Sequence, residues 1–308
     1  MTLNNNNKNS FCLEVWGTDY NKIKDTCKLA EKLGYDGFFY GESLADLDLD
    51  CWTVLSNLSA LTNKIRLGPV ITYLFPHYRN IVLLAKQAVT LQDISNGRLE
   101  FRTGTGATLQ YATQWWHPYG IEYPTNSERV SILEEGIQVL NMLWNKPSVY
   151  HVGKYFKING AALLQNLDKK NVIPVTIAAK RKKTMQIAAK YADIWESSYL
   201  NPEQFASLNK EFENMDKLFN DDKKITKSIE LDVIIADSDS DLEYKKRIFA
   251  MERGPNISHQ LLKHGLVGKP SKIKERLTEY IDAGVDQFFL AFQDPLDSRS
   301  LELFIDTI

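Results

Sequence analysis

Short runs of apolar and β-branched residues alternate along this chain with longer runs in which apolar positions recur every three or four residues. The short runs predict strands and the longer ones amphipathic helices. The first strand is Phe11–Trp16, followed by a helix over Tyr20–Leu33 that Gly34 closes. A second strand at Gly37–Tyr40 leads to a helix at Cys51–Thr62, where Trp52, Leu55, Leu58 and Leu61 fall at helical spacing. Ile65–Ile71 is the third strand, Asn80–Ile94 its helix, and Leu99–Thr103 the fourth strand. The period then breaks, because residues 107–126 are aromatic and polar without a clear repeat. Ser127–Trp144 is a long helix, and Ser148–Ile158 reads as a small hairpin turning at Gly153. Alternation resumes with a strand at Val175–Ala178, a helix at Lys182–Tyr191 and a strand at Asp193–Ser197. A helix at Pro202–Phe219 and a strand at Ser228–Ala236 follow, then helices near 241–252 and 270–283. Gln287–Ala291 is the eighth strand and Ser298–Ile308 a closing helix.

Eight strands with helices between them predict an α/β fold, a (β/α)8 TIM barrel with insertions after strand 4 and before strand 5. A doubly wound sheet is the alternative, and the count of eight favours closure. The insertions span 104–125 and 146–173, and irregular stretches of that length usually carry function. Residues 1–10 read as a disordered tail and 11–308 as one barrel domain.

Lysine and arginine number 37 against 39 acidic residues, a balance that argues against nucleic-acid or membrane-surface binding. Cys12, Cys27 and Cys51 match no zinc spacing, and their odd number argues against a disulfide framework. Reduced thiols in a cytoplasmic protein are expected. The N-terminus lacks the apolar core of a signal peptide, and no apolar run approaches a membrane span. His151, His259 and His264 show no ligand spacing, so no metal is expected.

In parallel α/β folds the chemistry gathers past the carboxyl ends of the strands. Glu42 stands there after strand 2, either as a cofactor or acid/base carboxylate or as a solvated loop residue. Val70, Ile71 and Thr72 end strand 3, either as a strained step under a planar ring or as an ordinary strand end. Gly104, Thr105 and Gly106 end strand 4 as a pliable loop or a tight turn. Lys180-Arg-Lys-Lys183 opens a helix, where the macrodipole disfavours cations; a bound phosphate or carboxylate tail would reconcile the two. Tyr111, Trp115 and Trp116 could wall an apolar substrate pocket or form a satellite core, and His77 could donate to substrate or be structural.

The segments Ala30–Asp36, Ile65–Gly68, Ser95–Leu99, Gly104–Gly106, Leu133–Glu135 with Leu143-Trp144, Ala188–Asp193 and Ala283–Asp286 carry a resemblance in their order and spacing. Over residues 11–295 the chain resembles the bacterial luciferase-like superfamily of flavin- and deazaflavin-dependent oxidoreductases. The resemblance implies a (β/α)8 barrel, often dimeric, holding coenzyme F420 or FMN. Gly68–Thr72 looks most like the F420 branch that includes methylenetetrahydromethanopterin reductase. In that branch a non-prolyl cis bond falls at the step matching Val70–Ile71, so a cis bond is expected there. The branch's acidic and histidine positions after strand 2 match Glu42 and Ser43, so the histidine is missing here. The phosphate-side loop matches Ala179, Lys180, Arg181 and Lys182, and its cations suit the polyanionic tail of F420 slightly better than a single FMN phosphate.

The expected function is hydride transfer between reduced F420, or a flavin, and a small organic substrate. Glu42 and the backbone of Val70–Thr72 would hold the ring, the 180–183 cations the tail, and Trp115, Trp116, Ser43 and His77 the substrate side. The alternatives are an FMN-dependent monooxygenase using O2 and a non-catalytic flavin-binding barrel.

Overall fold

The first strand starts one residue earlier than the hydrophobic pattern predicts, because Ser10 already pairs with Gln287 and the Asn9 side chain donates to Val285 O at 2.9 Å. This computed structural model describes residues 9–45, 47–163, 172–219, 223–294 and 296–308. Most of the expected tail therefore lies outside the described residues.

The first half runs β1 (Ser10–Val15), α1 (Tyr20–Leu33), β2 (Gly37–Tyr40), α2 (Cys51–Leu61), β3 (Arg66–Pro69), α3 (Ile81–Ile94) and β4 (Phe101–Gly104). The insertions hold α4 (Leu109–Trp116), α5 (Asn126–Asn145) and the hairpin β5 (Val149–Val152) and β6 (Lys157–Ala161). The second half runs β7 (Val175–Ala178), α6 (Lys182–Tyr191), β8 (Ile194–Ser198), α7 (Pro202–Asp216) and β9 (Thr226–Ile235). It continues with α8 (Asp239–Arg253), α9 (Pro255–His264), β10 (Leu266–Gly268), α10 (Pro270–Asp282), β11 (Gln287–Phe292) and α11 (Ser298–Thr307).

Eight of these strands form a parallel ring in the order β3-β2-β1-β11-β9-β8-β7-β4, with β10 pairing beside β9. Isolated parallel bridges at Leu67–Leu99 and Thr72–Thr103 bring β3 back to β4 and nearly close the barrel. The approach at this seam is close: a Cβ on Gly68 would stand 2.1 Å from the Glu100 carbonyl oxygen. The expected barrel is thus observed, with α4, α9 and β10 added. The last of these is three residues long and too short to show a period. Among the described residues no helix is long and apolar enough to cross a membrane.

One carboxylate device recurs at the amino ends of the strands. Asp36 accepts the Phe11 amide, Asp193 the Val175 amide and Asp286 the Lys227 amide, each at 2.8–3.0 Å. Each aspartate precedes one strand and caps the start of its neighbour, which fixes the parallel register. Arg98 serves the same end of the barrel, donating to the carbonyls of Ser59, Thr62, Ile65 and Ser95. Residues at this face of a barrel act in stability.

Outside the ring, strand residues such as Phe38, Leu67, Ile177 and Leu290 pack against the helices in one large core. Inside it, Cys12, Phe39, Val70 and Phe289 pack with Trp16. Arg102 crosses this interior. It meets both oxygens of Glu196 at 2.6 Å, Glu100 at 3.0 Å and the Val70 carbonyl at 3.1 Å, and lies 3.6 Å from the Phe289 ring centroid.

Among the described residues no peptide bond is cis, which overturns the cis bond expected at Val70–Ile71. A trans chain satisfies both neighbours here. The Val70 amide donates to Tyr40 O in β2 at 2.9 Å, and two residues on the Thr72 amide donates to Arg102 O in β4 at 2.8 Å.

Candidate active site

The carboxyl ends of the strands form one rim that is open to solvent. Trp16, Ile71, Thr105, Ala178, Ser198, Tyr199, Glu230 and Gln293 are each partly exposed there, and Lys180 is exposed, while the strand residues beneath are buried. Two close approaches shape the rim. A Cβ on Gly41 would stand 2.1 Å from the Trp16 indole, so the indole lies against bare backbone. Gly104 sits between Ile71 and Ala178, whose side chains would stand 3.1 and 3.3 Å from a Cβ at that position. On the β3, β4 and β7 side the rim is therefore built of backbone and small side chains packed closely together.

The loop after β4 is held from behind by one guanidinium. Arg129, buried on α5, donates to the carbonyls of Thr105 at 2.7 Å, Gly106 at 3.2 Å and Ala107 at 2.8 Å, and to the Tyr123 hydroxyl at 2.9 Å. Its other nitrogen meets the Asn126 side chain. The carbonyls turn toward Arg129, and Gly106 adopts the left-handed φ of 76° that this turn needs.

Glu42 is 2% exposed and lies behind the rim. Its Oε1 accepts from Arg79 at 2.8 Å and from the Tyr78 hydroxyl at 3.2 Å, and its Oε2 from the Trp52 indole at 3.0 Å. Burial pushes its carboxyl upward, and the Arg79 guanidinium pulls it back. Ser43, in the histidine's place, donates to Asp48 at 2.9 Å and accepts the Ala45 amide. Val70–Thr72, Gly104–Gly106 and Ala179-Lys180 thus meet at the mouth, with Glu42 one layer back. Trp116 is 1% exposed and packs edge-on against Tyr73, Phe75 and Tyr78, as the satellite-core alternative describes. Trp115 is half-buried and His77 exposed. The Tyr111 side chain lies outside the described residues.

The cations of the α6 start are also at this end. Lys180 Nζ donates to Ser198 O at 3.1 Å, and burial lowers its pKa. Arg181, Lys182 and Lys183 are exposed and, among the described residues, form no ion pair within 4 Å. The Thr184 hydroxyl accepts the Arg181 amide at 3.3 Å, but no side chain from the N-cap position accepts the amides of the helix's first turn. Free amides, the positive end of the dipole and unpaired cations together favour an anion.

The opposite wall was not among the candidates read from sequence. Glu14 of β1, Glu196 of β8, and Ser228, Glu230 and Asp232 of β9 point into the barrel, alternating with outward Leu13, Ile229, Leu231 and Val233. The Trp16 indole donates to Glu14 Oε1 at 2.7 Å. Burial pushes Glu14 up to about 7 and Glu230 to about 8, and neighbouring carboxylates add to the rise; burial likewise moves Asp232 to about 7. Tyr199, whose backbone amide donates to Glu230 O at 3.0 Å, holds a left-handed φ of 53°. That backbone is costly for a bulky residue and gathers at functional sites. The signal for this wall is the polar alternation within Ser228-Ile-Glu-Leu-Asp-Val233. A ring of strands turns that alternation inward instead of to solvent.

Among the described residues no group of His, Cys, Asp and Glu side chains is arranged to hold a metal ion. A cavity of about 310 Å³ at the other end of the barrel is lined by Ser10, Arg66 and Gln287. The Arg66 guanidinium there is already taken by Glu100, Ser10 and Gln287.

Comparison with known proteins places these features among redox barrels. Residues 7–253 match the family model described as luciferase-like monooxygenase. An F420-dependent glucose-6-phosphate dehydrogenase of Microbacterium testaceum is 27% identical over 180 residues, covering 56% of this chain and 51% of the relative. A 5,10-methylenetetrahydromethanopterin reductase of Archaeoglobus fulgidus is 28% identical over 174 residues, covering 56% and 48%. The chain spans about half the length of the curated relatives it matches. Among solved structures, an F420-dependent secondary alcohol dehydrogenase with an F420-acetone adduct superposes with a TM-score of 0.82 at 17% identity, over 98% of both chains. The F420-dependent tetrahydromethanopterin reductase of Methanopyrus kandleri gives 0.81 at 20% identity, again over 98% of both chains.

Proposed function

Because this chain belongs to the luciferase-like monooxygenase family, we propose that it is an oxidoreductase working at the barrel mouth with coenzyme F420, and with FMN as the alternative cofactor. The observation that carries the choice of F420 is the α6 start, where three exposed cations without acidic partners join uncapped helix amides. The rim of small residues at Gly104 and Ala178 suits a planar ring lying against backbone. The curated relative from Microbacterium testaceum, F420-dependent by its description, supports the same cofactor.

In this reading the backbone of Val70–Thr72 and Gly104–Gly106 holds the ring, and Lys180, Arg181 and Lys182 hold the anionic tail. The cofactor supplies hydride transfer; the protein supplies binding, orientation and electrostatics. Arg129 keeps the β4 loop in place by holding three consecutive carbonyls, so the loop needs no reorganisation when a ligand arrives. Glu42 orders Trp52, Tyr78 and Arg79 behind the ring site. The small organic substrate occupies the remaining space toward β8, β9 and β11. A homodimer belongs to the same proposal and is checked by sedimentation.

The test titrates F420 and FMN separately into wild type and a Lys180→Ala, Arg181→Ala, Lys182→Ala variant. Each exposed ion pair contributes about 0–1 kcal/mol, so the three together are expected to weaken F420 binding about tenfold at low salt. The loss shrinks at high salt, because exposed charges are screened. FMN, with one phosphate, loses less. Tighter wild-type binding of FMN than of F420, or unchanged F420 affinity in the variant, turns the reading to an FMN-dependent monooxygenase.

Glu42→Ala is a second expected result. It leaves the half-buried Arg79 without its carboxylate and frees Trp52 and Tyr78. Cofactor affinity or turnover is expected to fall about tenfold, a change of about 1.4 kcal/mol. Wild-type values for both would remove Glu42 from the site.

A further inference from the structure

We propose that the β1–β9 wall of the mouth recognises a protonated amine, so that the small substrate of the proposed oxidoreductase carries a cationic nitrogen. This rests on reading the mouth as the active site, and it names the substrate class that reading leaves open.

Glu14 and Asp232 stand at one level of the barrel. Glu14 is in register with Ala291 of β11, and Ala291 with Asp232 of β9. Their backbones are therefore two strand spacings apart, about 10 Å, with only a methyl group between them. Glu14 is 8% exposed and Asp232 3% exposed. Among the described residues, Glu14 Oε2 and Asp232 Oδ2 have no hydrogen-bond partner. Buried carboxylate oxygens without donors are costly, and a native site supplies what they lack.

The nearby cations do not supply it. Arg102 of β4 is engaged by Glu196, Glu100 and the Val70 carbonyl, and Ser228 donates its hydroxyl to Glu196 at 3.1 Å. Arg253 of α8 favours the ionised form of Asp232, without an ion pair within 4 Å. Lys180, beyond β7, feels Glu230 and donates to the Ser198 carbonyl. Trp16 satisfies one oxygen of Glu14, and the nearby Tyr199 side chain favours the ionised form of Glu230. What remains is a wall of acceptors. The complement that such a wall selects is a group rich in donors and positively charged, such as an organic cation. A primary ammonium brings three donors and a charge, an alcohol brings one donor, and an anion brings none.

The carboxyls that burial and mutual repulsion keep protonated must ionise to hold the cation, so binding releases protons and tightens with pH. The groups facing the pair are Glu196, Glu230, Arg102, Arg253, Lys180 and Tyr199, and the ligand's own charge persists to about pH 10, as for a lysine amine.

The experiment titrates n-butylammonium, 1-butanol and butyrate into the full chain by calorimetry at about pH 6 and about pH 8.5, in two buffers of different ionisation heat. F420 binding is followed in parallel by absorbance. Butylammonium is expected to bind at least tenfold tighter than butanol at the higher pH, and at the lower pH its heat is expected to depend on the buffer, which reports proton release. Glu14→Gln with Asp232→Asn, which are nearly isosteric, remove the charge and replace one acceptor oxygen by an NH2 donor, and are expected to abolish that preference. Equal binding of amine and alcohol, weaker amine binding at higher pH, or an amine preference that survives in the double variant overturns the proposal. The wild-type pH series decides the matter even if the variant fails to fold. Amine binding without F420 binding leaves the site standing and removes the cofactor reading; F420 binding without an amine preference does the reverse.

Discussion

Replacing Arg102 with methionine is expected to cost the fold about 3–5 kcal/mol, the range found when one partner of a buried ion pair is removed. Arg102 is 2% exposed, and Glu100 and Glu196 beside it are 0% and 3% exposed. Without the guanidinium, Glu196 keeps only the Ser228 hydroxyl, and Glu100 keeps Arg66 and the Thr176 hydroxyl. Two carboxylates would then share a low-dielectric interior with Glu14 and Glu230. Urea unfolding measures the loss as a lower midpoint with an unchanged slope. Adding Glu196→Gln to Arg102→Met is expected to restore part of it, because the stranded charge goes too. A midpoint for Arg102→Met within error of wild type would show that the network contributes no net stability.

Stability is also expected to fall as pH rises from about 5 to about 8. The carboxyls of Glu14 and Asp232 have folded-state values near 7, above their ordinary 4.5 and 3.8, and Glu230 sits near 8. Below the ordinary value both folded and unfolded chains hold the proton, and this contribution is whole. As pH rises the unfolded chain releases its proton first, so the folded state binds more protons and the slope of stability with pH is negative. The loss levels off once the folded carboxyls ionise, through pH 7 to 8. One group moved by about 2.5 units accounts for about 3 kcal/mol, and coupling makes the three together less than additive. Glu31 and Glu135, whose carboxyls backbone amides hold below the ordinary range, act the other way in acid. The maximum is therefore expected near pH 5–6, where these opposing trends meet. Unfolding midpoints at about pH 5.5 and about pH 8.5 measure the fall, and Glu14→Gln with Asp232→Asn should flatten it. A midpoint that rises over this interval would mean that the wall is ionised in the folded chain.

The barrel was legible because its signals are local and repeated. α1, β2, β7 and α6 have the residues expected from periodicity, since caps and apolar spacing bound them. Five of the segments carrying the family resemblance, Ala30–Asp36, Ile65–Gly68, Ser95–Leu99, Ala188–Asp193 and Ala283–Asp286, lie toward the amino end of the barrel. Asp36, Asp193 and Asp286 fix strand register there, and Arg98 ties four carbonyls. They identify the fold because the fold depends on them. The site was half legible. Positions after strand ends drew attention to 70–72, 104–106 and 179–182, since a barrel places ligands there. Glu14, Glu230 and Asp232 were passed over because they lie within strands, where a polar residue reads as solvent-facing. Only closure of the ring reverses that face. The trans step at Val70–Ile71 was not legible either, because it depends on hydrogen bonds to β2 and β4 at once.

The seam between β3 and β4 gives the barrel a directional compliance. Every other junction is a continuous ladder, whereas this one rests on two isolated bridges, Leu67–Leu99 and Thr72–Thr103. Opening free energies vary along a structure, and sparse backbone pairing marks the low end. Amide hydrogen exchange at Leu67, Thr72 and Glu100 should therefore run ahead of exchange in β9 and β11. The seam borders the rim at Ile71 and Gly104. Breathing there shifts that rim while the ladders around the acidic wall hold their register, so one side of the mouth yields as the other stays rigid.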